Sequence, residues 1–184
     1  MADKYNSNMT RLESARLLIR PMSIIDAAFM LQLMNTSGWI EFIGDRNVKD
    51  RTAASNYILT RIIPSYHTYG FGLYLVLLKH SSKPVGICGL VKREDLTHPD
   101  LGFAILPEHE NKGYISEACQ TILEYVEKNL TISTIYGITT EKNIAAKKVL
   151  EKQGLTFLQT VQLPQNQHEF LLYAKVLHKE DVAP

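Results

Sequence analysis

The order of elements along this chain predicts an α/β (α+β) fold, a mixed sheet with helices on both faces. Three observations carry that prediction. Ile115, Ala118, Cys119, Ile122, Leu123 and Val126 fall at i, i+3, i+4, i+7, i+8 and i+11, which is the single apolar stripe of a helix lying on a core. Short apolar and β-branched runs, each bounded by Pro, Gly or polar turns, stand on both sides of that helix and read as strands. Helical patterns fall between runs of strands and not only after them, so the helices must cross over the sheet and cover it.

The elements follow in order. Ala15 to Arg20 (ARLLIR) is a short strand closed by Pro21. Ser23, with Asp26 three residues later, approximates a capping box and opens a helix through about Met34. Asn35 to Asn47 is turn-rich yet holds Trp39, Phe42 and Ile43, apolar side chains that suit a lid packed on the core or a wall of a substrate pocket. A second helix is predicted from about Arg51 to Ile63, ending before Pro64. Gly70 to Lys79 and Pro84 to Arg93 form a hairpin around the turn His-Ser-Ser-Lys. Glu94 to Pro99 then crosses to a strand at Leu101. Thr134 to Thr140 is β-branched and strand-like, and Asn143 caps a helix that Gly154 stops. Two last strands, about Thr156 to Gln162 and Glu169 to Leu177, flank the turn LPQNQ. The count is about seven strands.

The centre of this order is Asp100 to Asn129. Leu101 to Leu106 is an apolar run stopped by Pro107, which cannot donate to a ladder. A polar loop, Glu108 to Lys112, leads to Gly113 and then to the amphipathic helix. A helix that opens on such a turn offers unpaired N–H groups and the positive end of its dipole to an anion, typically a phosphate.

The chain has 184 residues, 45% apolar and 21% charged, the balance of one globular domain with a core (1–184, core about 12–178). A net charge of +1 with mixed signs excludes binding to nucleic acid by bulk electrostatics. Cys88 and Cys119 lie in apolar patterns and read as reduced core residues. No apolar run is long enough to span a membrane, and MADKYNSNMT lacks the core of a signal peptide, so a cytoplasmic location is expected. The six histidines are scattered, so no metal site is expected. Lys112-Gly113 lacks the remaining residues of a P-loop.

The stretch PEHENKGYISEA resembles the acyl-CoA pyrophosphate loop of the GNAT N-acetyltransferases, in the branch of the ribosomal-protein N-acetyltransferases (RimJ/RimL-like). RLLIRP, GICGLVKR, LGFAILPE and NIAAKKVLEKQGL are similar to the same branch, so the resemblance covers roughly residues 12–178. It implies the GNAT fold, a mostly antiparallel sheet with a splayed central strand pair, and acetyl-CoA as co-substrate. The arm of CoA would run along Ala104, Ile105 and Leu106, and the diphosphate would sit on Asn111, Lys112, Gly113, Tyr114 and Ile115. Glu110 and Ile115 depart from the usual loop pattern. Asn143 matches the Asn of the family's NxxS helix, whose Asn touches the CoA arm and whose Ser often protonates the leaving thiolate. The Ser position is Ala146, which has no proton to give, and Lys147 is either a phosphate contact or a solvated helix lysine.

The implied reaction is direct attack of a primary amine on the thioester, and the amine must shed a proton. Asp100 is the first candidate base, then Glu94 and Asp95, each more readily read as a solvated surface carboxylate. His98 and His109 lie near the same rims and read as loop residues. Trp39 and Phe42, with the turn 163–167, would line the acceptor pocket. Peptide or protein N-termini and small amines all remain open as acceptors, and a homodimer is left open too. The rival reading is a CoA-binding sensor or partner-binding module with little turnover. A third reading is transfer of a longer acyl group, for which Ala146 leaves room.

Overall fold

Residues 11–163 and 169–177 are described in the computed structural model. One sheet holds β1 (Leu12–Glu13), β2 (Leu17–Arg20), β3 (Leu73–Leu78), β4 (Pro84–Val91), β5 (Asp100–Ile105), β6 (Thr134–Thr139), β7 (Thr156–Gln162) and β8 (Glu169–Val176). The strands lie in the order β1-β2-β3-β4-β5-β6-β8-β7. Every pair of neighbours is antiparallel except β5 and β6. The eighth strand, beyond the expected seven, is β1, in which Leu12 and Glu13 pair with Ile19 and Leu18. Two residues are too few to show any periodicity in sequence. The expected turn at 163–167 falls mostly on residues 164–168, which lie outside the described residues.

Strand alternation assigns the two faces. The Cys88 sulfur on β4 meets the Cys119 sulfur on α5 (Tyr114–Asn129) at 3.5 Å, and both cysteines are buried and free. A Cβ on Gly137 would lie 2.5 Å from Leu150 of α6 (Ile144–Lys152). Cys88 and Gly137 therefore face the layer of α5 and α6. Phe103, paired with Cys88, and Leu101 face the same way. Asp100, Gly102, Ala104 and Tyr136 face the opposite side. β3 and β4 are buried on both faces, and four helices, α1 (Ala27–Met34), α2 (Ser37–Phe42), α3 (Arg51–Tyr57) and α4 (Ile63–Tyr69), lie between β2 and β3 in the chain.

The predicted capping box is present. Asp26 closes a 3-10 turn, Ile24–Asp26, and accepts the Ser23 N–H at 2.9 Å. It also takes both ends of the Arg20 guanidinium, at 2.8 and 2.7 Å. The turn-rich segment after α1 contains a short helix, α2, capped by Thr36, whose hydroxyl accepts the Trp39 N–H at 3.3 Å. The helix expected to stop before Pro64 does not stop. A π turn, Ile58–Ile62, joins α3 to α4, and Pro64 sits in the first turn of α4. A proline ring inside an α-helix collides with the carbonyl four residues back and removes one donor. Widening the ladder to a π turn relieves both, so the chain stays helical as far as Gly70, whose φ of +73° ends α4. The third strand consequently starts at Leu73 instead of Gly70.

β5 and β6 have six residues each, yet they share one registered pair, Asp100 with Tyr136. The Tyr136 N–H donates to the Pro99 carbonyl at 2.9 Å beside it. Past that point the strands part, and a gap opens toward Leu106 on one side and Thr140 on the other.

Candidate active site

The open end of the gap leads to a turn and a helix terminus. The Leu106 N–H donates to the Val85 carbonyl at 2.9 Å, and a 3-10 turn, Pro107–His109, follows. The chain then passes through Asn111 (φ +56°) and Gly113 (φ +76°), both left-handed, before α5 begins. The first bond inside α5 runs from the Glu117 N–H to the Gly113 carbonyl at 3.1 Å. The N–H groups of Tyr114, Ile115 and Ser116 thus have no acceptor within the helix, and they lie at the positive end of its dipole. Asn111, Lys112, Gly113, Tyr114 and Ile115, the residues expected to hold a diphosphate, form this turn and the first residues of α5. The Ile115 side chain is buried among the apolar stripe of α5, so its bulk stays off the turn. Glu110 is exposed.

A clamp that sequence reasoning missed holds this turn. Arg16, at the start of β2, donates from Nε to Glu117 Oε2 at 2.6 Å and from Nη1 to the Lys112 carbonyl at 2.9 Å. Its guanidinium lies 4.7 Å from the centre of the Tyr114 ring. The Ser14 hydroxyl and the Arg16 N–H both donate to Glu117 Oε1, at 2.6 and 2.8 Å. Burial works against a charge on Glu117, but these donors outweigh it and hold its carboxyl below the usual range. Lys112 folds back, giving its ammonium to the Glu108 carbonyl at 2.8 Å. His109 is buried instead of lying on the rim, and neither of its ring nitrogens has a partner among the described residues. Burial lowers its pKa, and the charges of Lys83 and Lys112 lower it further.

The closed end of the gap holds the carboxylate predicted as the base. Asp100 is not a solvated rim residue. It is 2% exposed, and Arg93 grips both its oxygens, Nε to Oδ1 at 2.8 Å and Nη2 to Oδ2 at 3.3 Å. Burial pushes its pKa up while Arg93 pulls it back. Glu94 and Asp95 are exposed on the connection from β4 to β5, as expected. On the same connection, the His98 ring meets the Tyr136 ring edge-on at 5.1 Å. The hydroxyls of Thr97 and Tyr136 are 3.2 Å apart.

The remaining predicted residues divide. Asn143 caps α6, accepting the Ala146 N–H on Oδ1 at 3.0 Å. Ala146 and Lys147 are half-buried on the first turns of α6, and the Lys147 ammonium is paired with Glu141 at 2.8 Å. Ala104 and Ile105 pair with Ile87 and Gly86, so one edge of β5 is satisfied by β4 and the other faces the gap. Leu106 is buried, so its side chain belongs to the core. Trp39 is buried as well, with an indole N–H that lacks a partner among the described residues, and Phe42 is half-buried. Among the described residues, no group of three or more His, Cys, Asp or Glu is placed to hold a metal ion. No helix there is long and apolar enough to cross a membrane.

Three open N–H groups behind two left-handed residues, next to the part of β5 that has left β6, fit a ligand with a diphosphate and an extended amide arm. The family model described as an acetyltransferase (GNAT) domain matches residues 16–156. The chain belongs to the GNAT acetyltransferases. Its relatives include the uncharacterised N-acetyltransferase YjdG of Bacillus subtilis (strain 168), 28% identical over 151 residues, which are 79% of this chain and 89% of that one. Solved structures of the same fold include RimL, the ribosomal L7/L12 alpha-N-protein acetyltransferase, in complex with coenzyme A. It aligns with a TM-score of 0.79 and 14% identity over 93% of this chain and 100% of that one. The microcin C7 self-immunity acetyltransferase MccE, in complex with acetyl-CoA and AMP, aligns with a TM-score of 0.75 and 14% identity over 89% and 93%. GNAT acetyltransferases use acetyl-CoA, and the matched stretch runs from the Arg16 clamp to the first residue of β7.

Proposed function

We propose that this GNAT acetyltransferase transfers acetyl from acetyl-CoA to the nitrogen of a primary amine, by direct attack and without a metal. The observation that carries the reading is the set of open N–H groups at Tyr114, Ile115 and Ser116, set behind Gly113 where β5 has parted from β6. Those groups would take the diphosphate, with Asn111 and Lys112 beside them. Ala104, Ile105 and Leu106 would flank the pantetheine arm, and Asn143, Ala146 and Lys147 would flank it from α6. When bound, acetyl-CoA supplies the activated acyl group, and the chain supplies position and proton management.

Asp100 is the proposed base, drawing the amine proton through water, with Glu94 at the mouth as the alternative. Burial raises the basicity of Asp100, which suits that work, and Arg93 pulls it part of the way back. Ala146 offers no proton, so the leaving thiolate would be protonated by solvent. Trp39 and Phe42 are proposed to back the acceptor pocket from α2. Support for a peptide or protein N-terminus as acceptor, in the manner of the RimJ/RimL-like branch, comes from the alignment with RimL; a small amine is the other class.

The test has two parts. Acetyl-CoA at about a hundred times its dissociation constant should stabilise the fold by about 2.7 kcal/mol. Thiol release should then follow on addition of an accepted amine from a panel of peptides and small amines. No change in Tm at millimolar CoA would overturn the whole reading. Binding without turnover on any amine would make the protein a CoA-binding module.

A further inference from the structure

We infer that Tyr136 is an acceptor-binding residue whose phenol hydroxyl holds the nucleophilic amine beside Asp100. The inference rests on the N-acetyltransferase reading above and adds a residue to it. It starts from register. Asp100 and Tyr136 are the one registered pair between β5 and β6, and partners in a parallel pair project to the same face about 4.8 Å apart. That face is the one away from α5 and α6, because Gly137, the next residue on β6, points at Leu150 of α6. Thr134 and Ile138 share the face with Tyr136, but they stand one step off the level of Asp100.

The surroundings of the ring favour a ligand contact. Tyr136 and His98 are half-buried and Thr97 is exposed, so the phenol lies where the protein meets solvent. Thr97 occupies one of its hydrogen-bonding positions at 3.2 Å, and a phenol has one donor and two acceptor positions to offer. Each Asp100 oxygen takes one hydrogen bond from Arg93, which leaves its remaining lone pairs for the proton that the amine sheds through water. The phenol oxygen thus keeps an acceptor position for an amine N–H, on a side chain that leaves the sheet on the same face as the buried carboxylate. The edge contact from His98, at 5.1 Å and 87°, fixes the tilt of the ring. The chemistry recognised is the amine N–H itself.

The alternative is that Tyr136 only pins the β4–β5 connection through Thr97. Tyr136→Phe separates the two, because it keeps the ring and its contact with His98 and removes only the hydroxyl. Initial rates with an amine accepted by the parent should show the amine KM raised about threefold to tenfold, the size of one lost neutral hydrogen bond. The dissociation constant for CoA, read by calorimetry, should not change. Thr97→Val removes the pin and leaves the phenol, so it should move the amine KM much less. Amine kinetics within twofold of the parent in Tyr136→Phe would overturn the inference. So would an equal rise in amine KM in Thr97→Val, or a weakened CoA affinity in Tyr136→Phe. A parent that binds CoA and acetylates no amine removes the reading beneath it, a result distinct from an active parent matched by an active variant.

Discussion

Replacing Arg93 by alanine strips the partner from a carboxylate that has almost no water. Asp100 is 2% exposed, and Arg93 holds both its oxygens, but the Arg93 side chain is itself 38% exposed. Breaking a fully buried pair by removing one member costs about 3–5 kcal/mol. Solvent around Arg93 screens part of that, so the expected loss is about 2–3 kcal/mol at pH 8. The loss must depend on pH. The folded pKa of Asp100 already lies above its ordinary value because of burial, and Arg93 is what draws it back. Without Arg93 it rises further. A carboxyl whose folded pKa is raised destabilises the fold progressively as pH climbs from the unfolded to the folded value. The penalty should therefore vanish only below the unfolded value of about 3.9, be partial just above it, and be full above the new folded pKa. Urea titrations of parent, Arg93→Ala, Asp100→Asn and the double variant at pH 4.5 and 8 measure it. The double variant should recover most of the loss at pH 8, and the acid limb of kcat/KM should move to higher pH in Arg93→Ala. An equal loss at both pH values, or no recovery in the double variant, would refute an energetic coupling between Arg93 and a charged Asp100.

Two further outcomes concern the turn at the head of α5. Gly113→Val forces a β-branched residue to a φ of +76° and sets a Cβ 3.3 Å from Arg16 Nη2; the left-handed backbone costs about 1–2 kcal/mol. Calorimetry should show at least a tenfold weaker CoA affinity with a modest fall in Tm, and parent-like binding would displace the loop assignment. Glu117→Gln should cost about 1 kcal/mol at pH 7, since its charged partner Arg16 is half exposed. The sign follows from a depressed carboxyl: the charged clamp stabilises above the ordinary value near 4.3 and is lost as pH falls through the folded pKa. Denaturation curves of parent and variant should therefore converge as pH falls through the folded pKa of Glu117.

Local signals were legible and distant ones were not. The stripe on α5, the Asn143 cap, the Ser23–Asp26 box and the turn before Gly113 each depend on residues within one or two helical turns, so spacing alone displays them. Pro64 misled because a proline reads as a stop, and only the three-dimensional winding reveals a π turn that accepts it. The Arg16–Glu117 clamp joins residues 101 positions apart, and no pattern in sequence links them. The motif KGYISEA contained Glu117, but its partners could not be named without the sheet bringing β2 beside α5. Asp100 was named as a candidate with its surroundings misjudged, because burial at a strand start depends on which loop folds over it. Tyr136 went unnoticed, since its interest comes entirely from pairing with Asp100.

The π turn has one more implication, for what kind of change the segment tolerates. Leu59, Thr60 and Arg61 are exposed, so their chemistry is free to vary. Their winding is not. Tyr66, further along, accepts the Met22 N–H at 3.1 Å and donates its hydroxyl to the Leu73 carbonyl, tying the end of β2 to the start of β3. Were the same residues wound as a regular α-helix, everything after Ile62 would be turned by about 100°, and that phenol would swing away from both strands. Among homologous chains, substitutions should accumulate at these positions while insertions and deletions should not. The segment behaves as a spacer, and what it preserves is a number of residues.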